Sequence, residues 1–87
     1  MNEVWQDKIP PQDIEAEQAV LGAIFLDSDT LIDAMEIVTP RSFYRRSHQI
    51  IFQSMIQLSN RGEAIDLVTL KAEIEKSNAL EDIGGIS

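Results

Sequence analysis

Arg46-Ser-His-Gln-Ile-Ile-Phe-Gln-Ser-Met-Ile-Gln-Leu-Ser59 decides the fold class. Ile51, Met55 and Leu58 step along one face at helical spacing, and Ile50, Phe52 and Ile56 widen that face beyond an ordinary amphipathic stripe. The pattern predicts the central helix of the fold over 46–59. Asn60-Arg61-Gly62 supplies its stop, because glycine can take the left-handed conformation just past a helix end. Beyond it, Asp66 suits the cap of a helix over 67–77 that buries Leu67, Leu70 and Ile74 and leaves Lys71, Glu73, Glu75 and Lys76 to water. Residues 78–87 read as unfinished: Gly84-Gly85 is followed by Ile86 and Ser87, which could open a further helix, and Leu80, Ile83 and Ile86 offer apolar surface to a missing neighbour.

Toward the N-terminus, Thr39-Pro-Arg-Ser-Phe-Tyr44 is a connector whose adjacent aromatics are expected to pack in opposite directions. A helix over 30–38 precedes it, with Leu31, Ile32, Met35 and Val38 on one face and Pro40 as its stop. Asp27-Ser28-Asp29 is a loop and cap cluster. The first helix is predicted over 14–26: Asp13 caps it, Glu15 and Glu17 suit the positive end of its dipole, and Ala16, Ala19, Val20, Ala23 and Ile24 recur at helical spacing. Its alanines and Gly22 form a smooth strip where another helix could approach closely. Pro10-Pro11 keeps residues 1–12 out of this helix, as an irregular arm with Trp5 and Ile9 as anchors. The expected fold is all-α, a compact globule of four to five short helices forming one domain over 13–87.

Composition narrows the function. The chain has 87 residues, 15 acids against 7 bases, a net charge of −8, one histidine and no cysteine, so disulfides, thiolate catalysis and His/Cys zinc sites are excluded. The longest apolar run, Ala19–Leu26, falls far short of the ~20 residues that span a bilayer, and no basic segment of a signal peptide precedes it; the expected location is the cytoplasm. Neither G-x-x-x-x-G-K-[ST] nor G-x-G-x-x-G occurs. The carboxylate pairs Glu15/Glu17, Asp27/Asp29 and Glu73/Glu75 read as caps and solvated faces, so no catalytic, metal or cofactor site is expected.

The charge is unevenly spread. Residues 1–40 carry −8 and residues 63–87 carry −4, whereas residues 41–62 hold no acid and four arginines, Arg41, Arg45, Arg46 and Arg61. One reading makes the middle stretch a partner-docking or anion-binding patch, with Arg45, Arg46 and His48 as the candidate interface residues. The other has these arginines paired with acids of neighbouring helices and His48 packed into a helix's first turn.

The order of three motifs goes further. Ile14-Glu-Ala-Glu-Gln-Ala-Val-Leu-Gly22, then Phe43-Tyr-Arg45 with His48-Gln49 and Ile51-Phe52, then Ile65-Asp-Leu-Val-Thr-Leu70, with Leu80 and Gly84-Gly85 behind them, resembles the N-terminal domain of bacterial replicative DNA helicases, the DnaB family, over about residues 9–87. The resemblance implies a small helical globule followed, in the family, by a helical hairpin, a linker and a RecA-like ATPase domain; this chain stops before the hairpin. It implies a parent protein that is an ATP-dependent 5'-3' DNA helicase, with ATP and magnesium in the motor domain and no cofactor in this part. It also implies partners: further copies of itself in a hexamer whose collar is a trimer of dimers, the C-terminal domain of DNA primase, a helicase loader, and DNA through the motor domain. A free-standing helical adaptor or regulator sharing the fold is the alternative.

Overall fold

The computed structural model describes residues 13–86, with side chains placed through residue 78. The expectations on the arm 1–12, on Ser87 and on the side chains of Leu80, Ile83 and Ile86 lie outside that range. Four helices follow one another, α1 (Ile14–Leu26), α2 (Thr30–Met35), α3 (Arg46–Asn60) and α4 (Leu67–Ile86), with a 3-10 turn at Pro40–Ser42 before α3. Among the described residues there is no strand.

Helix ends follow local chemistry. The Asp13 carboxylate accepts from the Ala16 amide at 3.0 Å and so caps α1. Asp66 and Thr69 cap α4 reciprocally: the Asp66 carboxylate accepts from the Thr69 amide at 2.9 Å, and the Asp66 amide donates to the Thr69 hydroxyl at 3.0 Å. At the end of α3, Gly62 has φ +73°, its amide donates to the Ser59 carbonyl, and the Glu63 amide reaches back to Leu58 at 2.9 Å. This paired closure is what a left-handed glycine permits.

Helix α3 is central, packing against α1, α4 and the 3-10 turn. Phe52, Met55 and Leu58 are sealed within the core, joined by Leu21 and Ile24 of α1, Leu31 and Ala34 of α2, then Val38, Phe43 and Leu70. The Phe43 and Phe52 rings lie 5.1 Å apart at 40°, a tilted pair that closes the centre. Full burial of an aromatic or leucine here stabilises the fold by roughly 1.5–3 kcal/mol each.

Several expectations are corrected. Helix α2 ends at Met35, not 38; the Ile37 and Val38 amides both turn onto Ala34, a tightening that precedes Thr39-Pro40. Its buried face is Leu31 and Ala34, continued by Val38 beyond its end, while Ile32 and Met35 are exposed. Helix α4 runs through Ile86 rather than ending at 77, because Ser77-Asn78 is no true breaker and Ala79-Leu80-Glu81 are good helix formers. Gly84, Gly85 and Ile86 belong to this helix. Leu67 is exposed, and Glu73, expected in water, is buried. Phe43 and Tyr44 do point apart, at 1% and 57% exposure.

Candidate functional site

Helical geometry puts Glu17, Leu21 and Ile24 on one stripe of α1, and that stripe faces the core. The stripe expected from the sequence runs through Ala16, Ala19, Val20, Ala23 and Ile24 with Glu17 at the positive helix end; Ile24 is buried as expected, but the rest of the inner face is different. Large apolar side chains win the interior over Ala19 and Ala23, which are exposed, and Glu17 goes inward with them.

Glu17 is fully buried and ionised. Its carboxylate accepts from the Tyr44 amide at 2.6 Å, from His48 Nδ1–H at 2.6 Å and from the Arg45 amide at 3.5 Å. Burial pushes this carboxyl up, but the amides of Tyr44 and Arg45 and the His48 ring together outweigh it and hold it below its ordinary value. The arrangement solves a problem at the start of α3. That helix has Arg45 at its cap position, no side-chain cap of its own and no acid in its first turn. Glu17, coming from α1, places a negative charge at the positive end of α3, where it is favoured.

The same turn is held from the other side. Gln49 Nε2 donates to the Phe43 carbonyl at 2.8 Å. His48 is 6% exposed and sits edge-on to Phe43, with ring centroids 6.4 Å apart. The backbone from Phe43 to Arg45 is therefore pinned by two helices, and what it shows to solvent is the Tyr44 ring and the Arg45 side chain.

The structure separates the three candidate residues. His48 faces Glu17 inside. Arg45 is exposed, and its side chain makes no hydrogen bond or ion pair among the described residues. Arg46 donates to Gln49 Oε1 at 3.2 Å on its own helix and shares with Arg41, Gln53 and Ser77 an open groove of about 330 Å³. Arg61, the last of the four arginines, follows the other reading: it pairs with Glu73 at 2.7 Å and Glu63 at 3.1 Å. The Glu73 carboxyl is lowered chiefly by that Arg61 hydrogen bond.

Glu17 and Tyr44 are the residues that sequence reasoning missed as parts of a site. A signal was present: Glu17 lies in the first of the three motifs and His48 in the second. A second surface feature lies on the far face of α1. Between α1 and α2 runs an apolar groove of about 400 Å³ lined by Ala19, Val20, Ala23, Ala34, Ile37 and Val38. Ala19 and Ala23 of the expected smooth strip line it, whereas Gly22 is exposed outside its lining, where a Cβ would meet nothing within 4 Å.

Among the described residues no group of three His, Cys, Asp or Glu could hold a metal, and no helix is long and apolar enough to cross a membrane.

Comparison with known proteins converges on one family. Residues 9–87 match the model of the DnaB-like helicase N-terminal domain. The replicative DNA helicase DnaB of Geobacillus stearothermophilus is 55% identical over the whole chain, and the replicative DNA helicase DnaC of Bacillus subtilis (strain 168) is 52% identical over the whole chain. In each case the chain spans 19% of the relative's length. The crystal structure of the N-terminal domain of DnaB helicase from Mycobacterium tuberculosis superposes with a TM-score of 0.74 at 42% identity, covering 87% of this chain and 53% of that one. The chain belongs to the DnaB-like helicase N-terminal domain family.

Proposed function

We propose that this chain is the non-catalytic N-terminal domain of a replicative DNA helicase, helping to assemble the hexamer's collar and giving DNA primase a platform during replication. The observation that supports it most is the family match over residues 9–87 together with whole-chain identity above 50% to replicative helicases. On this reading, ATP hydrolysis and DNA unwinding belong to a motor domain elsewhere in the parent protein. The domain's part is positional: holding primase on the ring raises its local concentration at freshly unwound template without any chemistry. Apolar contacts on packed helices would supply affinity, and charges would set register and discriminate partners. A helicase loader is a further partner on the same reading, and the cytoplasm its place of action.

The test has two parts. The reading frame beyond Ser87 is expected to contain G-x-x-x-x-G-K-[ST] in a following domain. Titration of the C-terminal domain of the same organism's primase into the full-length protein, followed by calorimetry, is expected to give saturable binding that residues 1–87 are required for. Binding that survives their deletion would refute the docking role.

A further inference from the structure

Tyr44 and Arg45 form an exposed aromatic and cation whose backbone is fixed by a buried acid 27 and 28 residues earlier in the chain. Tyrosine and arginine are, with tryptophan, among the side chains that most often carry binding energy at protein interfaces, and a surface held in one geometry before binding loses little entropy on binding. The surroundings point to the sign of the partner. Of the four arginines in the acid-free stretch 41–62, Arg61 pairs with Glu63 and Glu73, which leaves Arg41, Arg45 and Arg46 next to this turn in a chain of net −8, so an acidic group on a partner finds its attraction here. A long nucleic acid, with one negative charge per about 1.7 Å of duplex, meets the repulsion of the whole domain at net −8.

Resting on the docking role proposed above, we propose that the Tyr44–Arg45 turn is a preorganised anchor for an acidic surface of the docked protein, and that Glu17 is the positioning residue that holds it. Tyr44 supplies flat apolar area with a polar tip, and Arg45 pairs with a carboxylate at the rim. Glu17 touches no partner. It acts through the Tyr44 and Arg45 amides, with His48 as the strut that fixes its carboxylate. This gives the buried pair a purpose beyond stability and explains why the two motifs containing it surround the one exposed aromatic of the connector.

The probe is the C-terminal domain of primase, titrated into the full-length protein. Tyr44→Ala and Arg45→Gln should each weaken binding about tenfold with melting temperature unchanged. Glu17→Gln should weaken wild-type binding by a similar factor, yet change it less than about twofold once Tyr44 and Arg45 are both replaced, since residues acting as one unit are not additive. A purely structural Glu17 would instead give the same loss in both backgrounds, and that result would overturn its positioning role. If Glu17→Gln does not fold, His48→Gln is used in the same cycle, with loss of binding expected only where Tyr44 and Arg45 are intact and an equal loss in both backgrounds overturning the positioning role. Surface variants within about twofold of wild type would overturn the anchor while leaving primase docking intact. Variants that lose single-stranded DNA binding but keep primase binding would reassign the turn to nucleic acid. Absence of any primase binding by the unaltered protein would refute the docking role and this proposal with it.

Discussion

Glu17 concentrates most of the residue-scale physics. Removing its carboxylate leaves the Tyr44 amide and the His48 ring without their acceptor inside the protein, and removes the acid that α1 places at the N-terminus of α3, whose own first turn has none. Glu17→Ala should therefore cost about 3 kcal/mol, measurable by urea denaturation at neutral pH. The sign of the pH effect follows from the lowered carboxyl. Its stabilisation is fully present above the unfolded value near 4.5 and is lost as pH falls through the lower folded value. Glu73, held down first by Arg61, and Asp66, held down first by the Thr69 amide, act in the same direction. Wild type should lose stability below about pH 4.5, and Glu17→Ala should show a shallower acid dependence. Ser54 presents the opposite case. It is fully buried in α3 with an unpartnered hydroxyl among the described residues, so Ser54→Ala should be neutral or up to about 1 kcal/mol more stable. Neither inward placement was legible in the sequence. A polar residue on a helix reads as solvent-facing unless its partner is known, and the partners of Glu17 come from residues 44–48, a separation no local pattern reveals.

At the scale of elements, caps and stops were readable because their chemistry is local. Asp13, Asp66 and Gly62 each do what their residue type and position suggest. Gly62→Ala separates conformation from crowding: a Cβ there meets nothing within 4 Å, yet φ is +73°. The expected loss is about 1 kcal/mol by thermal melting, all of it from the left-handed backbone. No loss would mean that the end of α3 closes in another way. The length of α4 was not legible, since weak breakers and good formers alternate over 77–85 and only the balance of propensities decides. The inner face of α4 was half legible: Leu70 was placed correctly, but Leu67 and Glu73 exchanged roles because Arg61, reaching across from the end of α3, gives Glu73 a partner inside.

For the whole molecule, the all-α class and the centrality of α3 followed from one wide apolar face, and the family from three motifs in order. The structure adds the connection between motifs. Glu17 from the first grips the turn that belongs to the second, so the arginine-bearing connector is a fixed part of the surface rather than a loop. Its charge stands out against the acidic remainder, and the apolar α1/α2 groove is lined by other residues. The claim that most depends on this picture is that the turn is rigid although its side chains are exposed. Native-state hydrogen exchange by NMR at pH 7 tests it at one amide. The Tyr44 amide, in a residue 57% exposed, should exchange as slowly as the core amides of α3 and should lose that protection in Glu17→Ala. A Tyr44 amide exchanging at the rate of an open loop in the unaltered protein would contradict the pinned turn and the docking surface built on it.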